Sequence, residues 1–220
     1  MNLKEYYKDK TVIVTGHTGF KGSWLSLWLN ILGAKVIGLS DKVYTNPSHY
    51  EIIKDIFSID LRGDIKKIKQ VHDLINTYDP DFIFHLAAQS IVKTSYQDPL
   101  NTFETNALGT VNLLESLRKI NPNLIAVLIT SDKSYQNVEK LEGYKEEDKL
   151  GGSDPYSASK AAADIFIESY SKTFFVDPKS RVKVSTARAG NVIGGGDWSS
   201  DRVIPDCIKA WSRNKKAIIK

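Results

Sequence analysis

The sequence predicts an α/β fold in which a doubly wound parallel β-sheet carries helices on both faces. Short, nearly continuous apolar runs recur along the chain, and a segment with apolar residues at helical spacing follows most of them. With 220 residues, of which 41% are hydrophobic and 25% charged, the chain can bury a sizeable core. Because crossovers between parallel strands are right-handed, this alternation favours the doubly wound arrangement.

Six apolar runs are the predicted strands, the third of them weak. They lie at 11–15, 35–39, directly before Gly63, 81–86, 124–130 and 182–187. The predicted helices lie at 20–32, 65–76, 99–117, 155–171 and 203–213. Residues 217–220 predict the beginning of a further strand, so we expect the chain to be truncated within a longer fold.

Two of these helices carry large apolar residues that we assign to the core. The expected buried face of helix 99–117 is Phe103, Ala107, Val111 and Leu114. In helix 20–32, Trp24 and Trp28 fall at helical spacing and are expected to pack in the core rather than in a site.

Charge and cysteine usage narrow the class of protein. The 30 basic and 26 acidic residues give a net charge of +4, and the basic residues are scattered, so no nucleic-acid partner is expected. No apolar run is long enough to cross a bilayer, and the first residues lack an apolar signal region. Cys207 is the single cysteine, and the four histidines lack metal-ligand spacing. We therefore expect a soluble, cytoplasmic protein without a membrane partner or a metal.

Glycine recurs at every third position directly after the first strand. Glycine permits a tight turn and the close approach of backbone N–H groups to a pyrophosphate, and the next helix N-terminus adds positive potential. An ordinary strand–helix turn is the alternative, but the position within a βαβ unit favours a dinucleotide site. The predicted cofactor-binding residues here are Gly16, His17, Thr18, Gly19, Phe20, Lys21 and Gly22. Among them we expect His17 to shape the loop.

The second strand ends without the acidic residue that usually binds the adenosine ribose. Ser40 occupies that position and Asp41 follows it, so the sequence leaves NAD and NADP both open. Asp64, in the turn after Gly63, is a candidate for contact with the adenine side of the cofactor. A solvated turn aspartate is the alternative.

Tyr156 and Lys160 lie four residues apart in a predicted helix and therefore on one helix face. An ammonium group beside a phenol favours the phenolate and is expected to lower the pKa of the tyrosine. Such a tyrosine can take a proton from a sugar hydroxyl while a hydride leaves to a nicotinamide. Ser131 follows an apolar strand, at the sheet edge where ligands bind, and is expected to hold that hydroxyl.

These motifs together resemble the extended short-chain dehydrogenase/reductase superfamily, whose fold is of the Rossmann type. Supporting strings are His85-Leu86-Ala87-Ala88-Gln89 and Asn106-Ala107-Leu108-Gly109-Thr110. Longer strings at 14–25, 130–133, 188–198 and 201–206 resemble the nucleotide-sugar 4,6-dehydratases, and among these the ones that act on CDP-glucose. The resemblance covers essentially all of the chain. It implies an NAD-binding Rossmann domain at 1–187 and the beginning of a substrate-binding region at 188–220.

The resemblance implies that CDP-glucose becomes a 4-keto-6-deoxy sugar by transient oxidation at C4, loss of water across C5 and C6, and hydride return to C6. NAD is the implied cofactor. Tyr156 would be the base at O4, Lys160 would tune it and grip the nicotinamide ribose, and Ser131 would position O4. Asp132 would protonate the departing C6 hydroxyl, and Lys133 would take the C5 proton. The product would enter deoxysugar synthesis, as for lipopolysaccharide O-antigens.

Further contacts are implied by the same resemblance. The additional cofactor-binding residues are Asp64, Ile65, Leu86, Ala87, Ala88, Gln89, Asn106, Tyr156 and Lys160. The substrate-binding residues are Ser131, Asn191 and Arg202, with a surface ion pair as the alternative for Arg202. Ser90 departs from the family pattern. Relatives suggest a homodimer formed through helices 99–117 and 155–171.

Two other functions stay open. One is another nucleotide-sugar dehydratase or epimerase that acts on a dTDP-, GDP- or UDP-sugar. The Asp132–Lys133 pair argues against a simple epimerase, which needs no acid and base to eliminate water. The other is a truncated, catalytically silent NAD-binding fragment, against which the complete set of Ser131, Tyr156 and Lys160 argues.

Overall fold

The computed structural model describes residues 2–218. Within them a single sheet has the strand order β3-β2-β1-β4-β5-β6, and every pair is parallel. The strands are β1 Thr11–Thr15, β2 Lys35–Ser40, β3 Ile59–Arg62, β4 Phe82–His85, β5 Ile125–Ile129 and β6 Lys183–Ala187. The order reverses between β1 and β4, where a doubly wound sheet places its ligand cleft. The predicted fold is confirmed.

Helices connect these strands. They are α1 Leu3–Tyr7, α2 Phe20–Ile31, α3 His49–Ile53, α4 Ile68–Tyr78, α5 Val92–Gln97, α6 Pro99–Phe103, α7 Gly109–Ile120, α8 Pro155–Tyr170 and α9 Val203–Trp211. Short 3₁₀ turns lie at Lys54–Ile56 and Asp132–Ser134, and π turns at Glu104–Leu108 and Ser171–Phe175. None of the helices in the described part of the chain is long and apolar enough to span a membrane.

Both faces of the sheet are buried because successive side chains of a strand point to opposite faces. Val12 and Val14 of β1 pack with Leu29 of α2 on one face. Ile13 points the other way, into a larger core that includes Leu114 of α7. These three β1 residues have no exposed surface, which is why the strand reads as a continuous apolar run.

The predicted helix 99–117 is divided by the π turn into α6 and α7. A π turn adds one residue to the helical repeat and so shifts the face that is buried. The expected burial is confirmed for Ala107 and Leu114. It is wrong for Phe103, which is 38% exposed, because Thr102 takes the buried position before the turn.

The expectation that Trp24 and Trp28 pack in the core is also wrong, since they are 44% and 53% exposed. The buried face of α2 consists of Gly22, Ser23, Ser26 and Leu29. Small residues on this face let the helix approach the sheet closely, and the tryptophans consequently lie on the outer side.

At the ends of two other predicted elements the structure differs in detail. Helix α4 begins at Ile68 rather than at residue 65, because the backbone from Asp64 to Lys67 forms a turn in which the Lys67 N–H donates to the Asp64 carbonyl. Of the strand predicted at 217–220, residues 217 and 218 have no regular structure, and residues 219–220 lie outside the described residues. The division at residue 187 into two domains stays a prediction.

Candidate active site

The glycine loop follows β1 and lies directly against the segment after β4. Gly16 has φ +75°, and a Cβ there would approach the Ala87 amide nitrogen to 2.7 Å. A Cβ at Gly22 would overlap the Gly16 carbonyl oxygen. Only glycine therefore fits at these two positions, and the loop is as closely packed as a phosphate-binding turn requires.

Helix α2 begins at this loop with Gly19 as its N-cap residue. Since glycine has no side chain to accept from the first-turn N–H groups, those groups and the positive end of the helix face the cleft. The cleft has a volume of about 540 Å³. Of the predicted cofactor-binding residues it is lined by Gly16, Thr18, Gly19, Phe20, Lys21, Gly22, Asp64, Ile65, Leu86, Ala87, Ala88 and Gln89.

His17 lies beneath the loop rather than in the cleft. Its side chain has no exposed surface, and Nε2 lies 2.7 Å from the Asp60 carboxylate while Nδ1 lies 3.0 Å from the Ser40 hydroxyl. Burial lowers the pKa of this histidine, and Asp60 opposes that effect. A Cβ at Gly38 would collide with the imidazole ring, so the ring fills a space that β2 leaves for it. The arrangement agrees with a loop-shaping role.

Asp41, directly after β2, is one of the carboxylates that line the cleft. Ser40 lines the cleft too, but it is buried and its hydroxyl is already engaged by His17 and by the Thr18 N–H. The Asp41 carboxylate accepts hydrogen bonds from the backbone N–H of Lys42 and from the Tyr44 hydroxyl, the latter at 2.5 Å. An acidic group therefore stands at the cleft rim, one residue later than the usual pattern.

Asn106 holds the opposite wall of the cleft from behind. Its side-chain oxygen accepts from the Gln89 N–H at 2.8 Å, and its amide donates to the Gln89 carbonyl at 3.0 Å and the Ser159 hydroxyl at 2.9 Å. The side chain is buried within the π turn. Asn106 thus fixes the backbone of a cleft-lining residue, and a direct contact with the cofactor stays a prediction.

Ser131, Tyr156 and Lys160 meet at the carboxyl end of β5, as the sequence predicts. Ser131 caps a 3₁₀ turn, accepting from the Lys133 N–H at 3.2 Å and donating to Asp132 at 3.1 Å. The Ser131 hydroxyl also faces the Tyr156 phenol and stabilises its anionic form. The Lys160 ammonium is buried and donates to the Ile129 carbonyl at 3.3 Å.

The pKa of the Tyr156 phenol is raised above its ordinary value, mainly by burial. The Ser131 hydroxyl and the positive charge of Arg202 lower the pKa of Tyr156, but their effect is smaller than that of burial. The expected lowering of the Tyr156 pKa by Lys160 is therefore wrong, because burial of the phenol outweighs the groups that act the other way, which are Ser131 and Arg202 rather than Lys160. The pKa of Lys160 is itself lowered to about 8, by burial and by the charge of Lys21.

A second cleft, of about 330 Å³, adjoins the first and lies over residues 189–194 and the start of α9. Ser131, Lys133, Tyr156, Asn191 and Arg202 line it, so all three predicted substrate-binding residues are together. Asp132 lies close to Gly190, whose Cβ position is 3.5 Å from the carboxylate. Lys133 is exposed and stands between this cleft and a broader depression of about 1320 Å³.

Two cations border both clefts. The Arg202 guanidinium donates to Asp197 at 3.3 Å and to the Ser90 hydroxyl at 3.3 Å. The ion pair considered as the alternative for Arg202 is therefore present, but it is partly buried at the site rather than on the outer surface. Ser90, which departs from the family pattern, lies within the site as a partner of this arginine. Lys21, from the glycine loop, has a lowered pKa because of burial and the charge of Arg202.

Two site features were not found by sequence reasoning. Trp24 stacks on His49 with ring centroids 4.2 Å apart and donates to the Gly195 carbonyl at 2.9 Å, which holds the glycine-rich segment over the cleft. Asp164 lies buried one helical turn beyond Lys160. The sequence did contain a signal for Asp164: an acidic residue four positions after Lys160 lies on the same helix face as the lysine.

A family model described as GDP-mannose 4,6 dehydratase matches residues 13–194, which include the glycine loop and the Ser131, Tyr156 and Lys160 cluster. The chain belongs to the GDP-mannose 4,6 dehydratase family. This family falls within the extended short-chain dehydrogenase/reductases, as the motifs had indicated.

A named relative is also a 4,6-dehydratase. CDP-glucose 4,6-dehydratase of Salmonella typhimurium is 43% identical over 222 residues, covering 99% of this chain and 62% of the relative. The chain thus spans less than two thirds of the length of that relative.

Solved structures share the fold. UDP-glucose 4-epimerase of Thermotoga maritima, solved with UDP-glucose, superposes with a TM-score of 0.82 at 21% identity, over 94% of this chain and 64% of that one. UDP-glucose 4-epimerase of Thermus thermophilus, solved with NAD, gives 0.73 at 28% identity, over 87% and 58%.

Proposed function

We propose that the protein is an NAD-dependent nucleotide-sugar 4,6-dehydratase, a hydro-lyase that acts on CDP-glucose. One observation carries the proposal: Ser131, Lys133 and Tyr156 line a second cleft that adjoins the glycine-loop cleft, Asp132 is hydrogen-bonded to Ser131, and Lys160 lies at the end of the same strand, β5. The second cleft offers the cationic and amide groups that a nucleotide sugar requires. The 43% identical relative is named for this activity.

The first cleft fits a dinucleotide. The glycine loop leaves no room for a Cβ at Gly16 or Gly22, and the uncapped start of α2 presents N–H groups where a pyrophosphate would lie. A nicotinamide cofactor, when bound, supplies the acceptor for a hydride from C4 and its return to C6. Asp41 at the rim favours NAD over NADP, because its carboxylate would repel a 2′-phosphate.

The chain's own residues supply the proton transfers. Tyr156 takes the proton from the O4 hydroxyl as C4 is oxidised, and Ser131 holds that hydroxyl by hydrogen bonding. Lys133 then removes the C5 proton, which the new C4 ketone has made acidic, and it returns a proton to C5 when hydride is delivered to C6. Asp132 protonates the C6 hydroxyl, which leaves as water. Lys160 would donate to the ribose of a bound cofactor from its place at the end of β5.

Asn191 and Arg202 bind the nucleotide part of the substrate. Arg202 presents a planar fork of donors toward both clefts, which suits a diphosphate. The neighbouring Asn191 lines the same cleft and can donate from its amide to the diphosphate or the sugar. Preference for cytosine is supported by the name of the relative rather than by a contact.

Incubation with CDP-glucose and NAD tests the proposal directly. We expect a 4-keto product, detected by its absorbance in alkali, and none from the Tyr156→Phe variant, which cannot take the O4 proton. Product from dTDP-glucose but not from CDP-glucose would favour the dTDP-sugar alternative. Tight NAD binding without product from any nucleotide glucose would favour a silent NAD-binding fragment.

We also propose a homodimer formed through helices α6 to α8. Leu100 of α6, Leu108 of the π turn and Ile165 of α8 are 68%, 52% and 52% exposed, which gives this side of the molecule an apolar outer face for a second copy. A cytoplasmic location in deoxysugar synthesis, such as that of O-antigens, is consistent with a single free cysteine, Cys207.

A further inference from the structure

A buried carboxylate that the mechanism does not use lies one helical turn beyond the lysine of the site. Asp164 follows Lys160 by four residues on α8, so the two side chains lie on the same face of the helix. Asp164 is 3% exposed, and its neighbour Lys160 is buried as well. A charged group this deep must be compensated, because its desolvation is costly.

The compensation of Asp164 is incomplete. One carboxylate oxygen, Oδ1, accepts from Arg188 Nε at 3.3 Å. Among the described residues, Oδ2 is buried and has no hydrogen-bond partner. Arg188 divides its donors between this carboxylate, the Tyr135 hydroxyl at 3.0 Å and the Glu146 carbonyl at 3.0 Å. A buried carboxylate oxygen without a partner is rare enough to require a reason.

The charged groups that act on Lys160 come from several elements of the fold. Burial and Lys21, from the start of α2, lower the pKa of Lys160 to about 8, and Asp164 acts in the opposite direction. His85, from β4, is neutral at physiological pH because burial and Lys160 lower its pKa to about 3. Tyr156 on the same helix carries a phenol whose pKa is raised, so it is neutral too. Asp164 is therefore the negative charge that acts on Lys160.

We propose that Asp164 is a positioning residue whose negative charge keeps the buried Lys160 protonated. For the reaction, this inference rests on the proposed function, since only a protonated Lys160 carries a full positive charge and three donors toward a ribose hydroxyl. A cationic nicotinamide ring beside Lys160 would disfavour the ammonium further, so the counter-charge matters most in the loaded enzyme.

The titration of Lys160 tests the inference without a cofactor or turnover. In protein labelled with ¹³C-lysine, the Lys160 Cε resonance, assigned with Lys160→Arg, reports its protonation as pH is raised. We expect Asp164→Asn to lower the titration midpoint by about one pH unit, because a facing opposite charge has been removed. The introduced asparagine can still accept from Arg188, so the hydrogen bond is kept while the charge is lost.

Three further variants complete the design. Asp164→Ser is a second neutral substitution, and Asp164→Glu should restore the midpoint because it restores the charge. Glu168→Gln removes a carboxylate one turn further along α8, where it pairs with exposed Lys172, and should leave Lys160 unchanged. An unaltered Lys160 midpoint in folded Asp164→Asn or Asp164→Ser protein would overturn the inference.

The rate profile links this result to the reaction. With CDP-glucose, Asp164→Asn should move the alkaline limb of the kcat profile to lower pH. A shifted Lys160 resonance in a protein without dehydratase activity would reject the proposed function and leave the role of Asp164 intact. An unshifted resonance in an active dehydratase would reject the role of Asp164 alone.

Discussion

At the scale of single residues, Lys133 separates elimination of water from simple oxidation in the proposed reaction. It is exposed at the mouth of the second cleft, and the Ser131 hydroxyl fixes its backbone N–H. Asp132 beside it would take part in the same elimination by protonating the departing C6 hydroxyl. The oxidation at C4 uses neither residue, so the two stages can be separated by mutation.

We predict that Lys133→Met abolishes product formation while cofactor binding is kept. A general base contributes on the order of 100-fold or more, so the loss should be at least of that size. The rate is measured from the amount of 4-keto product, which is detected by its absorbance after alkali is added. Calorimetry measures the affinity for NAD. Lys179→Met, which removes an exposed lysine far from the clefts, is the matched control. Turnover that survives in Lys133→Met would remove this lysine from the mechanism.

Asp41 is the residue that we expect to set the preference for NAD over NADP. Its carboxylate stands at the cleft rim while Ser40 is engaged by His17. Asp41→Asn should shift the ratio of affinities toward NADP by roughly tenfold, because a charged acceptor for the ribose hydroxyls is lost. Titration calorimetry with both cofactors measures the ratio. An unchanged ratio would place cofactor choice elsewhere.

At the scale of elements, the strand–loop–helix unit β1–α2 depends on close packing of its glycines. Gly22→Ala places a Cβ where the Gly16 carbonyl oxygen lies, so the backbone of the loop must shift. We predict a loss of NAD binding and of about 1–3 kcal/mol in the free energy of unfolding, as for other overpacked sites. Calorimetry and chemical denaturation measure the two effects.

The control for this prediction is Gly143→Ala, since nothing lies within 4 Å of a Cβ at that position. Both substitutions add one methyl group, but only the one at Gly22 meets backbone atoms. Equal affinities for NAD in the two variants would contradict the packing argument.

The π turn Glu104–Leu108 is the second element that positions the site. It turns Asn106 inward, where the amide holds both backbone groups of Gln89 at the cleft wall. A regular helix across 99–117 would place Phe103 in the core in register with Ala107. The additional residue of the π turn breaks that register and exposes Phe103.

At the scale of the whole molecule, the apolar outer face of α6 to α8 should determine the oligomeric state. We predict that the wild-type chain is a dimer and that Ile165→Glu makes it a monomer, because a carboxylate on an apolar interface must be desolvated. Light scattering after size-exclusion chromatography measures the mass. Ile52→Glu is the matched control, since Ile52 is 79% exposed on α3, away from these helices. A monomeric wild-type chain would contradict the proposal.

The sequence by itself determined the fold class, the strand positions and the glycine loop. These features follow from local rules: apolar runs become buried strands, and glycines mark backbone that must turn or approach closely. The spacing of Tyr156 and Lys160 likewise placed both on one helix face, and the strand-end position of Ser131 brought it to the same place.

Tertiary structure alone decided the electrostatics and the exposure of side chains. The pKa of Tyr156 is raised because burial outweighs Ser131 and Arg202, and burial cannot be read from a four-residue spacing. Trp24 lies outside because the small residues of α2 face the sheet, and Asp164 is buried beside Lys160 because the rest of the fold covers that face of α8. Such properties depend on what the rest of the chain brings near a residue, so they appear only once the chain has folded.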